Sequence, residues 1–220
     1  MLVRLKPTLS FVFQGSLEVF FTASVALAAF VTFPTTAHGA TDIYPISGGN
    51  FGTQVWTLAG SPYVVHGQPS MRYGSLTIGP GVVVKFEPHA TLDVHADVPV
   101  AIQGTLEAPV YFTSLRDDSV GGDTNGDGSA TTPASGDWGY VSFGGGSWNS
   151  NFSTQYLKVR YGGDTPSSVG SGTVSPALIL SYWWFSGSPG VTYALEHVEV
   201  SHSPTGLLLV MGFNNTLNLS

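Results

Sequence analysis

The densest run of chemistry-bearing side chains lies between Arg116 and Trp138, where Asp117, Asp118, Asp123, Asp127 and Asp137 are spaced by Gly, Ser, Thr and Asn. Inside it, Asp123, Asn125 and Asp127 fall at the first, third and fifth places of a calcium loop. Gly128 takes the sixth, where such a loop turns sharply. Ser129 stands at the seventh, which contributes a backbone carbonyl. The twelfth place is Ala134 rather than the bidentate Glu. The pattern is therefore half a coordination shell, needing more oxygens from Asp117, Asp118 or Asp137. No Lys or Arg lies between Asp117 and Asp137, so the like charges repel unless a hard cation or solvent screens them. The bland alternative is a solvated loop built on Asn-Gly and Asp-Gly turns. The expected cofactor is Ca2+, in a structural role.

Other candidates are thinner. Glycoside cleavage needs two carboxyls roughly 5 to 10 Å apart. Asp93, Asp97 and Glu107 are scattered, and Asp117 and Asp118 are chain neighbours at the start of the loop. Lys85, Arg116, Lys158 and Arg160 are the available bases, with Lys158 and Arg160 on one face of one strand. No G-x-S-x-G elbow occurs. His89, His95, His197 and His202 flank strands without zinc-site spacing, and read as turn or surface histidines. Tyr182, Trp183, Trp184 and Phe185 form an aromatic run on which a sugar ring could stack. Burial against the body of the protein is the competing use of such rings.

The elements that must position these groups are strands. The 220 residues carry 7 basic and 14 acidic side chains, a net charge of −7, with only 10% charged, 28 Gly, 14 Pro and no Cys. The missing Cys excludes disulfide frameworks and thiolate metal sites. Acidity without a basic cluster excludes a nucleic-acid binder. A hydrophobic share of 42% excludes a disordered chain. Short Val-, Ile- and aromatic-rich runs separated by turn residues predict strands over 63–65, 76–78, 82–86, 91–94, 98–102, 110–113, 139–143, 155–160, 177–180, 195–200 and 207–210. The tight Asn-Gly and Asp-Gly pairs lie in the acidic loop and not between these strands, which favours a coil over hairpins. VYFTS, YVSFG, YLKVRYGG, ALILS and HVEVSHS return at steps of 30, 16, 21 and 20 residues, which predicts one winding per roughly 20 residues. Val198 and Val200 would point inward and Glu199 outward. The expected class is all-β, a β-solenoid, with an antiparallel sandwich as the alternative.

The segments SLTIGPGVVVKFEPHATLDVHA, GTLEAPVYFTSLRDDSVGGDTNGDGSATTPASGDWGYVSF, LKVRYGG and LEHVEVSHSPTGL resemble bacterial right-handed parallel β-helix surface proteins over about residues 60–210. The loop from FTS to GDW is the most specific part. Tyr140 departs from the second Gly and aliphatic residue common there. The resemblance implies a right-handed parallel β-helix, surface display, and a polysaccharide or cell-surface glycan as partner. By analogy with this fold, an enzyme would be a calcium-dependent polysaccharide lyase with an Arg or Lys base, or a hydrolase with paired Asp.

Residues 1–40 read as a signal peptide: Arg4 and Lys6, an uncharged run from Val19 to Phe33, then small residues to Ala40. The run is short for a membrane span; an uncleaved anchor is the alternative. Removing it leaves 5 bases and 13 acids, a net of −8. Residues 41–60 are expected to form an N-terminal cap region and 61–220 the coil, which is expected to be truncated because NNTLNLS ends within a strand-like run. The expected function is a non-catalytic, secreted or cell-surface β-helix acting in adhesion, envelope structure or glycan binding. A calcium-dependent carbohydrate-active enzyme is the alternative, and the N-terminal coil of a larger surface protein a third.

Overall fold

The computed structural model describes residues 39–220 apart from 96, 145–150, 166, 170–171, 182–191 and 211–215. The signal-peptide reading and the aromatic run Tyr182, Trp183 and Trp184 fall on residues outside the described ones. Among the described residues there is no α-helix, and none long and apolar enough to cross a membrane.

The strands are, in chain order, β1 (Thr41–Ile43), β2 (Asn50–Trp56), β3 (Tyr63–Val65), β4 (Ser70–Met71), β5 (Tyr73–Ile78) and β6 (Val83–Phe86). Then come β7 (Leu92–Val94), β8 (Val100–Gln103), β9 (Val110–Ser114), β10 (Val141–Gly144) and β11 (Asn151–Arg160). The remainder are β12 (Ser167–Val169), β13 (Gly172–Val174), β14 (Pro176–Ser181), β15 (Thr192–Ser201), β16 (Thr205–Val210) and β17 (Thr216–Leu219). Each of the eleven runs expected from the sequence contains or overlaps one of these strands.

Two curled sheets of parallel strands hold almost all of them. The ten-stranded sheet has two arms that meet in the long strands β11 and β15. One arm stacks β2, β5, β8, the first half of β11, the first half of β15, and β17. The other stacks β1, β3, β6, β9 and the second halves of β11 and β15. The five-stranded sheet stacks β4, β7, β10, β14 and β16. From β2 onward the chain visits first arm, second arm and five-stranded sheet in rotation, so each visit lays a strand beside the previous visit's. The result is compatible with a β-solenoid. The antiparallel sandwich does not account for these ladders; the antiparallel pair among the described residues is β12–β13.

The winding length is close to the expected 20 residues in the first windings and roughly doubles in later ones. Along the second arm, Tyr63 pairs with Val84, Val84 with Phe112, Phe112 with Val159 and Val159 with Val200, steps of 21, 28, 47 and 41 residues. VYFTS, LKVRYGG and HVEVSHS belong to this arm, whereas YVSFG and ALILS belong to the five-stranded sheet. The 20-residue steps among them are passages between sheets, not full returns. Both sheets fill one core and so carry the same apolar alternation, which makes their strands look alike in sequence.

The inner faces supply the core. Phe86, Phe112, Phe143, Phe152 and Tyr193 are buried and form a chain of aromatic contacts with centroids 4.6 to 6.5 Å apart. Val198 and Val200 pack against this core and Glu199 is exposed, as alternation requires. The bends have their own chemistry. Tyr156 and His197 carry positive φ at the breaks within β11 and β15, and their rings lie tilted against each other, 4.4 Å apart. Tyr161 and His202 do the same at the ends of those strands, 5.0 Å apart.

Candidate metal site

The acidic loop leaves β9 at Ser114 and re-enters the body at Trp138, and both feet are fastened by carboxylates. Asp117, 1% exposed, accepts hydrogen bonds from Thr113 Oγ1 (2.6 Å) and from the amide and hydroxyl of Ser119 (3.1 and 2.5 Å). Asp137 accepts from Ser114 Oγ (2.8 Å), Arg116 Nη1 (3.0 Å) and the Ala134 amide (3.0 Å). Trp138 is fully buried, stacked 4.0 Å from Phe86, and its indole N–H donates to the Arg160 carbonyl at 2.8 Å. Two of the five acids therefore anchor the loop to neighbouring strands.

The loop lies back over the outer face of β6 and β9. Val83, Lys85 and Thr113 alternate with the core residues Val84, Phe86 and Phe112, so they point outward, yet all three are buried. Gly121 passes so close that a Cβ there would sit 3.2 Å from Lys85 Cε and from Val83 Cγ1. Lys85 Nζ donates to the Gly122 carbonyl at 2.5 Å. Burial pushes its ammonium below the ordinary lysine value, while Asp118, Asp117 and Asp123 pull it back up. The expectation that no base offsets these acids is thereby corrected. The base comes from β6, far away in sequence, because the loop folds across that strand.

The loop's centre brings together Asp118, Asp123 and Asp127, each offering a carboxylate oxygen within 4.8 Å of the others. Two oxygens on one calcium ion, each 2.3–2.6 Å from it, lie at most about 5.2 Å apart, so the spacing fits a shared ion. Asp118 Oδ1, Asn125 Oδ1 and Asp127 Oδ1 are buried and accept no hydrogen bond. Such oxygens are costly unless something fills them. The rest of the loop holds these groups in place. Asp123 accepts the amides of Asp127 (3.1 Å) and Gly128 (2.9 Å), and Asp127 Oδ2 accepts from Asn125 Nδ2 (2.8 Å) and Thr131 Oγ1. Thr131's hydroxyl, then the amides of Thr131 and Ala130 and the Asn125 side chain, hold the Asp127 carboxyl below its ordinary range. Ser129 is exposed in the turn beyond Gly128. The donor set is all oxygen, which suits a hard cation and not a soft one. Of the seven expected residues, Asp118, Asp123 and Asp127 converge, Asn125 donates to Asp127 beside them, and Asp117 and Asp137 are occupied as anchors. Lys85 was missed as a partner of the loop. The single charge inside the apolar run VVVKF was its signal.

The other candidates separate. Lys158 and Arg160 lie over the Tyr111 ring at 5.9 and 4.8 Å, and Lys158 faces Glu199 at 3.7 Å. His89, His197 and His202 occupy positive-φ turns. Asp93, on β7, is held above its ordinary value by burial, and the Tyr140 hydroxyl faces it at 3.5 Å. Comparison with family models, with curated proteins and with solved structures returns no match to this chain.

Proposed function

We propose that this chain is a non-catalytic, extracytoplasmic right-handed parallel β-helix that serves in adhesion, envelope structure or glycan binding. Its acidic loop is fastened to the wall by a calcium ion. Parallel crossovers of this kind are right-handed in nearly all proteins. The observation that carries the reading is the use made of the loop's carboxylates. Asp117 and Asp137 anchor the feet, Asp123 caps loop amides, and Asp118 and Asp127 join Asp123 in a carboxylate cluster within the loop itself. Acids arranged this way stiffen a loop laid across the wall of the coil.

One specific observation favours the enzyme as a second reading. Asp93 carries a burial-raised pKa, and the charges of His95 and Arg72 act on it from the same and the preceding winding. Tyr140 reaches it from the following one. An upward-shifted carboxyl pKa is a change in the direction that a general acid requires.

The test incubates the protein with insoluble and acidic polysaccharides, with calcium or with chelator. Depletion of the protein without release of sugar ends supports the binding reading; released ends that vanish in Asp93→Asn overturn it in favour of a hydrolase or lyase. In the same buffers, 1 mM calcium acting on a site of about 10 µM affinity adds about 2.7 kcal/mol, or roughly 5–10 °C in melting temperature at this size. Asp123→Ala with Asp127→Ala should abolish that difference. An unchanged melt on chelation removes calcium from the proposal.

A further inference from the structure

At the first turn of the second arm, the His66 ring lies between two carboxylates. Nε2 is 2.8 Å from Asp42 Oδ1, and Nδ1 is 2.8 Å from Glu87 Oε1. The three residues come from three successive strands of one ladder: Asp42 on β1, His66 just after β3, Glu87 just after β6. The ring also stacks on Tyr44, at 4.3 Å and 9°. A neutral imidazole has one N–H and one lone pair, and a carboxylate only accepts. Two carboxylates at hydrogen-bond distance on opposite ring nitrogens are both satisfied only by the doubly protonated imidazolium. Deprotonation turns a lone pair onto one carboxylate and converts a bond into a repulsion.

β1 is a strand for which this matters. It has three residues and, among the described residues, one neighbour, β3. Ile43 is its buried apolar anchor. Outside the strand ladder it is held by the Thr41 amide on the Pro62 carbonyl, the Thr41 hydroxyl on the Gly60 carbonyl, and the His66 amide on the Ile43 carbonyl. The charged bridge is a large share of so small an attachment.

We propose that His66 is a proton-operated latch: charged, it binds β1 and the turn after β6 to the turn after β3, and neutral, it lets β1 come away from the edge of β3. Among the described residues, the titratable groups facing the ring are Asp42, Glu87 and the stacked Tyr44. Burial works to lower the histidine's pKa, and the hydrogen bonds and charges of Asp42 and Glu87 outweigh it, so the pKa stands above the ordinary 6.5. The sign follows from linkage. The contribution is complete below the unfolded value and is lost as pH rises through the raised folded value. The latch is closed below the ordinary histidine value and opens as the pH rises above it.

The test uses the full chain and reads two quantities. Proton NMR should show an imidazole titrating above the ordinary histidine value of 6.5, and that resonance should disappear in His66→Gln. Amide exchange across 41–43 and 63–65, corrected for its intrinsic pH dependence, should show protection falling about fivefold as His66 deprotonates. Exchange in β8 should stay flat. In Glu87→Gln, where a neutral imidazole can satisfy both neighbours, the fall should shrink. A His66 that titrates at or below the ordinary 6.5 overturns the proposal. So does a pH-dependent loss of β1 protection that persists in His66→Gln.

Discussion

Replacing Lys85 by Met keeps most of the side-chain volume and removes the ammonium from beneath the acidic loop. Lys85 is fully buried, bonds to the Gly122 carbonyl, and is acted on by the charges of Asp118, Asp117 and Asp123. The lost bond from a charged donor is worth about 1.5–3 kcal/mol. The three carboxylates also lose their nearest base. Against this, an ammonium no longer has to be kept out of water, which favours the variant. Because one member of a charged group is removed and the others stay, the balance remains destabilising, by about 2–3 kcal/mol. At this chain size that is roughly 4–12 °C in melting temperature. Calorimetry in chelator measures it, and limited proteolysis should show earlier cutting between Arg116 and Trp138. Added calcium should recover more stability in the variant than in the parent, since the ion then takes over screening that Lys85 provided. A variant that melts within about 1 °C of the parent in chelator would refute the reasoning, because Lys85 would then be filling space and nothing more.

Trp138→Ala should cost about 3–5 kcal/mol in denaturant titration, as expected for emptying a large buried aromatic site. Trp138→Phe keeps the stack on Phe86 and loses the bond to the Arg160 carbonyl, so it should cost only about 1–2 kcal/mol; equal losses would place the energy in the hydrogen bond rather than the packing. Gly74→Ala should leave no folded protein by circular dichroism, since its Cβ would sit 1.8 Å from the Gly52 carbonyl oxygen at a φ of +97°. Gly126→Ala, at φ +70° with nothing within 4 Å, should cost only the left-handed strain of about 1 kcal/mol, and similar losses for both variants would contradict the close-approach argument.

The strands were legible because each is a short apolar alternation closed by turn residues, and that signal is local. The order of the strands in the sheets was not. Leu157 and Val159 face the same core as Val141 and Phe143 do from the other sheet, so YLKVRYGG and YVSFG carry one pattern for two positions. β2 was hidden because Gly52 interrupts its alternation, and β4 because two residues are too few to make a pattern. Positive φ at Tyr156 and His197 was hidden for another reason. Tyr is rare in that conformation and His, though enriched there, adopts it in only a minority of cases, so neither marks the turn by itself; the conformation is supported by the ring-on-ring contact between windings that the stacked coil provides.

The metal site divides along the same line. The Asp123-Asn125-Asp127 spacing is a local feature, and the loop closes on it as the spacing predicts: Asp127 and Gly128 turn their amides onto Asp123. Which other acids join is decided by what stands beside them. Asp117 and Asp137 meet the hydroxyls of Thr113 and Ser114 on β9, whereas Asp118 meets none and turns toward Asp123 and Asp127. The charge balance is more distant still, since Lys85 lies 37 residues from the carbonyl it holds. Five carboxylates against Lys85 and Arg116 leave three negative charges on a loop pressed against the wall of the protein. A divalent cation among the free oxygens would reduce that to one. The proposed ion is thus asked for by the charge left after the tertiary contacts are counted, and not by the number of acids in the sequence.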